Sequence, residues 1–284
     1  MTQTCIITDN SVQFSQSRFK GQEYVKILPL IPDNYGYLEN KDNNEEPAKS
    51  EEADLANSSC KPLSPSIKPS ELPRIIYSLS RDFHNLLFIL PTPTFSPAIA
   101  TVTALLNQMS ISANVEIIDT QTISLGVGWL IQSSASAIAY GESISGVKHY
   151  LINKIPHIYT LIYFHNLLNL KALGLLDPDQ ALVGNILGIH PLVLLEKGQI
   201  LPYQKIRTAK SIGDLILNYA HEFEHIQFLG LVFGSDVGVT DKKNISTRIR
   251  STFPKIKTEF QMMNKLLDNI LGTQSISLVL VEKD

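Results

Sequence analysis

The sequence predicts an α/β protein with enough residues for two domains. Its 284 residues are 44% hydrophobic, which is sufficient for two cores and argues against a fibrous or wholly disordered chain. Short apolar segments of strand type alternate with segments whose apolar residues recur at helical spacing. The alternation is clearest between Ala181 and Leu215, where a helix, a strand, a Gly turn, a second strand, a loop and another helix follow one another.

The first predicted strand ends in a run of polar residues. It covers Cys5–Thr8, and a second strand is predicted over Val25–Ile31. The polar run consists of Thr8, Asp9, Asn10 and Ser11. Ligands of α/β sheets collect at the carboxyl ends of the strands, which favours a binding site here. Asp and Asn also form turns and cap helices at such positions, so both interpretations remain open.

Residues 33–61 change the character of the chain. They consist mainly of Asn, Glu, Lys, Ser and Pro, with almost no apolar side chains. Such a composition cannot bury enough surface to offset the entropy lost on ordering. We therefore predict a mobile polar loop that extends over a cleft or into solvent.

A helix, a strand and a second helix are predicted between this loop and residue 108. Apolar residues at helical spacing behind Ser70 and Glu71 predict a capped amphipathic helix. A buried strand over Asn85–Leu90 then leads into a segment rich in hydroxyls and prolines, before a helix over Ile99–Gln108. The hydroxyls of this segment belong to Thr92, Thr94 and Ser96. Ser96 followed by Pro97 is typical of a helix N-cap, and hydroxyls at a helix N-terminus can also hold a carboxylate.

The next unit is a strand over Val115–Asp119 followed by a helix that is apolar on most faces. Gly126 and Gly128 lie near the start of this helix. A Gly-x-Gly pattern without a third Gly is a weak signal for dinucleotide binding. We interpret these glycines as sites of close helix packing or of backbone approach to a ligand.

The second predicted domain begins near Ile144. A helix to Ile155, a strand over His157–Phe164 and the hairpin before Arg207 lead to a helix over residues 210–220 and a strand over Ile226–Phe233. Lys197 and Gly198 form the predicted hairpin turn, with Gly at a position of positive φ. The chain then reaches a helix, a short turn and a final strand. We place the domains at 1–143 and 144–284.

The order of these segments resembles that of the DegV family. The stretch ALVGNILGIHPLVLLEKGQILPYQKIRTAK matches the family pattern lGsLLnIKPIL-deGki-p-ekvRtrkKA, and the N-terminal strand with its polar run matches a strand and TDS turn. The resemblance covers nearly the whole chain. It implies two α/β domains, the first with a mainly parallel sheet and the second with an antiparallel or mixed sheet. It also implies a cleft between them that holds one long-chain fatty acid, such as palmitate or oleate.

The resemblance also implies which residues surround that ligand. The residues expected near its carboxylate are Ser64, Thr92, Ser96 and Gln274. Those expected to line the cleft or face a partner are Thr8, Asp9, Asn10, Ser11, Arg207 and Lys210. Gln274 stands where the family has His, Pro97 and Ala98 stand where it has Gly and Thr, and the Arg of its GGRI pattern is absent. A fatty acid kinase is the partner that the resemblance allows, and the chain itself is expected to bind lipid without catalysis.

Two other classes of function remain open. The residues His221, Glu222 and His225 satisfy the H-E-x-x-H pattern of zinc hydrolases, in which two His one helical turn apart bind the metal. No third ligand is evident, because Asp241 falls in a polar loop and Glu259 on a further predicted helix. We therefore expect a solvated helix end here and no metal. The other alternative is a scaffold without lipid, which would use residues 33–61 for protein contacts.

Composition excludes several classes of partner. A net charge of −3 gives no electrostatic argument for nucleic acid. No apolar run reaches the roughly 18 to 20 residues that span a bilayer, and the first residues lack the pattern of a signal peptide. We therefore expect a cytoplasmic protein with no membrane span and at most transient membrane contact. Cys5 lies in a strand and Cys60 in a polar loop, so the pair forms neither a disulfide framework nor a metal ligand set. No cofactor is expected.

Overall fold

The computed structural model describes residues 4–31, 69–207 and 212–283, which form two β-sheets with helices packed against them. The strands are β1 Thr4–Asp9, β2 Val25–Leu28, β3 Asn85–Leu90, β4 Asn114–Asp119, β5 Ile158–Tyr163, β6 His190–Glu196, β7 Gln199–Ile206, β8 Ile226–Phe233, β9 Lys257–Met262 and β10 Ile276–Glu282. The α-helices are α1 Leu72–Asp82, α2 Ala98–Leu106, α3 Leu125–Ala139, α4 Ile144–Lys154, α5 Leu167–Ala172, α6 Pro178–Ile186, α7 Ile212–Ala220, α8 Val239–Thr252 and α9 Lys265–Leu271. The predictions for Ser64, Lys210 and the loop 33–61 lie outside the described residues.

The first sheet, which we call the parallel sheet, has the order β2-β1-β3-β4, and all its neighbours run parallel. Every residue of β1 and β3 is buried. Continuous burial of this kind is typical of a parallel sheet whose two faces are both covered. The carboxyl ends of β1, β3 and β4 therefore meet at one edge.

The second sheet, which we call the mixed sheet, has the order β7-β6-β5-β10-β8-β9. All its pairs are antiparallel except β8 with β9. Lys197 and Gly198 join β6 to β7 with φ of 49° and 76°. Two successive positive φ values are those of a type I′ turn, which confirms the predicted hairpin and its Gly position.

The mixed sheet divides the apolar core into two clusters. One face, with Ile162, Val193 and Val279, belongs to the same cluster as the buried residues of the parallel sheet. The other face, with Leu161 and Leu278, packs against α7 and α8 in the second cluster. The first cluster therefore joins the two sheets through a continuous apolar interior.

Helix α3 packs close to its neighbours through a glycine. A Cβ added at Gly128 would lie 1.8 Å from the carbonyl oxygen of Gln13, which belongs to the loop after β1. Only a residue without a side chain allows this approach. The interpretation of this glycine as a site of close helix packing is confirmed.

Four predictions differ from the structure. Strand β2 ends at Leu28 instead of Ile31, and α1 begins at Leu72 after a single 3₁₀ turn, with no side-chain cap. Asp241 lies in the first turn of α8 and not in a loop, and Glu259 lies on strand β9 and not on a helix. The residues of β9 are half-buried or exposed, so pairing with β8 determines this strand and its own residue pattern does not.

Candidate functional site

Hydroxyl side chains gather where β1, β3 and β4 end, at the edge of the parallel sheet that faces the mixed sheet. We call this set the hydroxyl edge, and it comprises Thr8, Ser11, Thr92, Thr94, Ser96, Thr120, Thr122 and Ser124. Thr94 is half-buried and the others are buried. Each follows or ends a strand, which is where ligands of α/β sheets bind.

Asp9, the last residue of β1, accepts hydrogen bonds from two residues of the hydroxyl edge. Its side chain is fully buried and accepts hydrogen bonds from Ser11 N at 2.9 Å, Ser11 Oγ at 2.7 Å and Ser96 Oγ at 3.1 Å. Burial raises the pKa of Asp9 above its usual range, and these hydrogen bonds oppose part of the rise. The predicted residues Asp9, Ser11 and Ser96 thus come together, with the Ser96 hydroxyl donating to Asp9.

Ser96 also stabilises the start of α2. Its Oγ accepts from Ala98 N at 3.1 Å, although Pro97 is the residue that precedes the helix. The hydroxyl therefore donates to one partner and accepts from another within the protein. A ligand carboxylate that took the Ser96 proton would have to displace Asp9.

Thr92 and Thr94 contact the opposite sheet. Thr92 Oγ1 donates to the carbonyl oxygen of Gly198 at 3.0 Å, and Thr94 Oγ1 donates to the same oxygen. Gly198 is buried in the β6–β7 turn. The hydroxyl edge and the hairpin of the mixed sheet are therefore joined by two donors that converge on a single acceptor.

Further hydrogen bonds join the loop after β4 to the mixed sheet and to the loop after β1. Thr122 Oγ1 lies 2.9 Å from Thr160 Oγ1 on β5, and Ser124 Oγ donates to Gln13 Oε1 at 3.0 Å. Gln121 and Ser124 have φ of 55° and 53°, which non-glycine residues rarely adopt. Strained residues of this kind are often found at functional sites.

The remaining predicted residues have different roles or positions. Asn10 donates to Ile31 O at 3.1 Å and accepts from Ile31 N at 3.2 Å, so its amide holds the segment after β2. Thr8 Oγ1 is buried and has no hydrogen-bond partner among the described residues. Gln274, in the turn between α9 and β10, and Arg207, after β7, are exposed. No hydrogen bond within the described ranges joins either of them to the hydroxyl edge, so their assignment as site residues stays a prediction.

The H-E-x-x-H motif lies beyond the end of α7. The helix stops at Ala220, and His221, Glu222 and His225 follow as exposed residues. Glu222 accepts a hydrogen bond from the Tyr203 hydroxyl at 2.9 Å. The two His therefore do not occupy successive turns of one helix, and the described residues contain no group of three or more His, Cys, Asp or Glu arranged to hold a metal.

Sequence reasoning missed a pair of stacked histidines at the end of β5. The rings of His165 and His190 have centroids 4.8 Å apart, and His190 Nδ1 donates to His165 O at 2.7 Å. Tyr163 Oη lies 3.2 Å from His165 Nδ1. Burial lowers the pKa of His165, and the nearby His190 lowers it further. No sequence signal marks the pair, since His165 follows β5 and His190 begins β6, 25 residues further along the chain.

The lowered pKa of His165 predicts that stability depends on pH. The pKa of His165 is lower in the folded state than its unfolded value of 6.5, so the unfolded chain binds more protons between the two values. We expect the free energy of unfolding to decrease as the pH falls below about 6.5 and to stop decreasing below the folded pKa. The measurement is urea unfolding between about pH 5 and 8. His165→Gln should flatten this dependence more than His149→Gln, which changes an exposed histidine; equal slopes would contradict the assignment.

The parallel sheet, the mixed sheet and the hydroxyl edge between them define a two-domain α/β protein. The family model "Uncharacterised protein, DegV family" matches residues 3–283. The chain belongs to the DegV family. The resemblance seen in the sequence is thereby confirmed, as is the expected pairing of a parallel sheet with a mixed one.

Known proteins of this family are similar to the chain in sequence and in fold. A DegV domain-containing protein of Caldanaerobacter subterraneus is 25% identical over 158 residues, which is 56% of each chain and less than two thirds of that relative. The fatty acid binding DegV family protein of Streptococcus agalactiae matches with a TM-score of 0.72 at 18% identity, over 100% of both chains. The Streptococcus pneumoniae Fatty Acid Kinase (Fak) B3 protein, loaded with linoleic acid, matches with a TM-score of 0.69 at 14% identity, also over 100% of both.

No helix in the described part of the chain combines the length and the apolar character needed to cross a membrane.

Proposed function

We propose that this protein binds one long-chain fatty acid between its two sheets, with the carboxylate at the hydroxyl edge. Membership of the DegV family carries the proposal, because the family model covers residues 3–283 and the chain shares its fold with members that are named as fatty acid binding proteins. The hydroxyl edge lies next to the apolar cluster that joins the two sheets. Polar donors beside an apolar interior suit a ligand with one charged end and a long hydrocarbon tail.

Burial of the tail supplies most of the affinity in this proposal. Each buried CH₂ group contributes about 0.8 kcal/mol, before the cost of ordering the ligand. A palmitate or oleate tail therefore compensates for a head-group site that has Gln274 where the family has His. Gln donates a hydrogen bond but carries no positive charge, so the carboxylate is held less strongly than by a protonated His.

The chain acts in this proposal as a carrier and not as a catalyst. The chain is similar in fold to the Fatty Acid Kinase (Fak) B3 protein, and this similarity favours a kinase as the protein that acts on the bound carboxylate. Arg207 is exposed directly after β7 and is the cation that we assign to this contact. The division into domains at residues 143 and 144 is part of the same proposal. Along the chain, α4 begins at Ile144, after the last strand of the parallel sheet and before the first strand of the mixed sheet.

The test is native mass spectrometry of the purified protein, followed by organic extraction and identification of the lipid. We expect a stoichiometric fatty acid in the purified protein, or uptake of one equivalent on incubation with oleate or palmitate. A protein that stays at its unliganded mass after this incubation would contradict lipid binding and favour the scaffold function. Metal analysis of the same sample tests the zinc alternative independently.

A further inference from the structure

The β6–β7 turn places a backbone carbonyl where two hydroxyls converge. The Gly198 oxygen accepts from Thr92 Oγ1 at 3.0 Å and also from Thr94 Oγ1. A ligand carboxylate oxygen also accepts two hydroxyl donors, and its negative charge makes such hydrogen bonds shorter and stronger than those to a neutral carbonyl. The Gly198 carbonyl thus has the hydrogen-bonding pattern expected of a carboxylate oxygen.

Most other hydroxyls of the hydroxyl edge donate to fixed groups. Ser11 and Ser96 donate to Asp9, and Thr120 donates to Leu90 O at 2.9 Å, all within the parallel sheet and its loops. Ser124 donates to Gln13 Oε1 in the loop after β1. The Thr92 and Thr94 pair differs because its acceptor belongs to a turn of the mixed sheet. That acceptor can leave without breaking the parallel sheet.

The turn has the features of a segment that can move. Strand β7 is an edge strand with mostly exposed residues, and Glu196, Lys197 and Gln199 of the turn are exposed as well. The buried turn residue is Gly198. A displacement of the turn would therefore cost few contacts besides those to Thr92 and Thr94.

We propose that Thr92 and Thr94 form the carboxylate site and that the Gly198 carbonyl is its internal competitor, so that fatty acid binding releases the β6–β7 turn. This inference rests on the proposed function and adds Thr94 to the head-group residues. It also gives the hairpin a regulatory role, because the turn closes the site when the carboxylate leaves. Ligand affinity then depends on the fraction of molecules whose turn is released.

Gly198→Ala is expected to weaken the competition of the Gly198 carbonyl with the ligand carboxylate. The added Cβ would lie 2.8 Å from Thr92 Oγ1, and φ of 76° disfavours alanine, so the turn is pushed away from the hydroxyls. We expect oleate to bind about 3- to 10-fold more tightly, as measured by isothermal titration calorimetry. Gly141→Ala is the matched control, because Gly141 has φ of 92° with nothing near its Cβ position. Unchanged or weaker oleate binding by Gly198→Ala would overturn the proposal.

Thr94→Val removes the Thr94 hydroxyl, one of the two proposed donors to the carboxylate. A charge-assisted bond to carboxylate is lost together with a weaker bond to the carbonyl, so we expect oleate to bind about 3- to 10-fold less tightly. Thr103→Val is the control, since Thr103 Oγ1 donates to Ile99 O on the exposed side of α2. Thr8→Val tests the Thr8 hydroxyl, which is buried and has no hydrogen-bond partner among the described residues. Weakening by Thr8→Val without weakening by Thr94→Val would assign the carboxylate to Thr8 and overturn the proposal.

Hydrogen exchange measures the release of the turn directly. We expect oleate to increase amide exchange in the turn that contains Gly198, while it decreases exchange elsewhere around the ligand. Bound oleate with unchanged or slower exchange in the turn would overturn this inference and leave the proposed function intact. A lack of oleate binding by native mass spectrometry would overturn both, so the two failures are distinguishable.

Discussion

Asp9→Ala is expected to lower the free energy of unfolding by about 3 kcal/mol, because three donors lose their buried acceptor together. Those donors are the backbone and hydroxyl of Ser11 and the hydroxyl of Ser96, at 2.7 to 3.1 Å from the carboxylate. Leaving a buried donor unsatisfied costs more than the net value of the hydrogen bond that it made. Urea unfolding monitored by circular dichroism provides the measurement.

Asp119→Ala is the matched control for this substitution. Asp119 ends β4 as Asp9 ends β1, but it is half-buried and accepts from Gln121 N alone among the described residues. We expect a loss of about 1 kcal/mol for this variant. Similar losses for the two variants would show that Asp9 is not the centre of a buried hydrogen-bonded cluster.

Gly128→Ala is expected to lower the free energy of unfolding by about 3 kcal/mol, although alanine is the better helix former. The new Cβ would lie 1.8 Å from Gln13 O and 3.3 Å from Phe14 Cα, so α3 would have to move away from the loop after β1. Backbone atoms cannot rotate aside as a side chain can. Thermal unfolding should therefore show a clear decrease in Tm.

Gly184→Ala separates this contact from the general effect of alanine. Gly184 lies in α6, and its added Cβ would meet Leu167 Cδ1, the end of a flexible side chain that can shift. The gain of about 1 kcal/mol in helix propensity should offset the contact and leave stability nearly unchanged. Equal losses for Gly128→Ala and Gly184→Ala would contradict the argument from close backbone approach.

Much of the fold follows from local patterns in the sequence. Strand β3 has the bounds Asn85–Leu90 that its apolar run predicts, and β8 has the predicted bounds Ile226–Phe233. Both are mainly apolar runs with polar residues on either side, which is a pattern consistent with a buried strand. The hairpin turn was equally predictable, because Gly198 supplies a backbone conformation that most residues avoid.

Strand β9 could not be predicted in the same way. Its residues Lys257–Met262 show no alternation between buried and exposed positions, since the strand is at an edge and only partly covered. The strand forms because β8 offers it a parallel partner. A contact between elements determines its structure, and such a contact leaves no local pattern.

The candidate site was predictable in composition but not in its hydrogen bonds. The residue types and their order placed Thr92 and Ser96 after β3, at the strand end where they are found. The acceptors of their hydroxyls are a carboxylate on another strand and a backbone carbonyl on another sheet. Every residue carries the same backbone carbonyl, so the sequence cannot mark the carbonyl of Gly198 as an acceptor. Its role is visible only in the folded hairpin.

The position of β10 has a consequence for biosynthesis. This strand follows β5–β9 in the chain but lies between β5 and β8 in the sheet. During translation, β5–β7 and β8–β9 therefore emerge before β10 as two incomplete parts of the mixed sheet. In each part, the strand that later pairs with β10 has one unpaired edge. Unpaired strand edges attract other chains, so nascent protein is expected to need protection by chaperones until residues 276–282 emerge and join the two fragments.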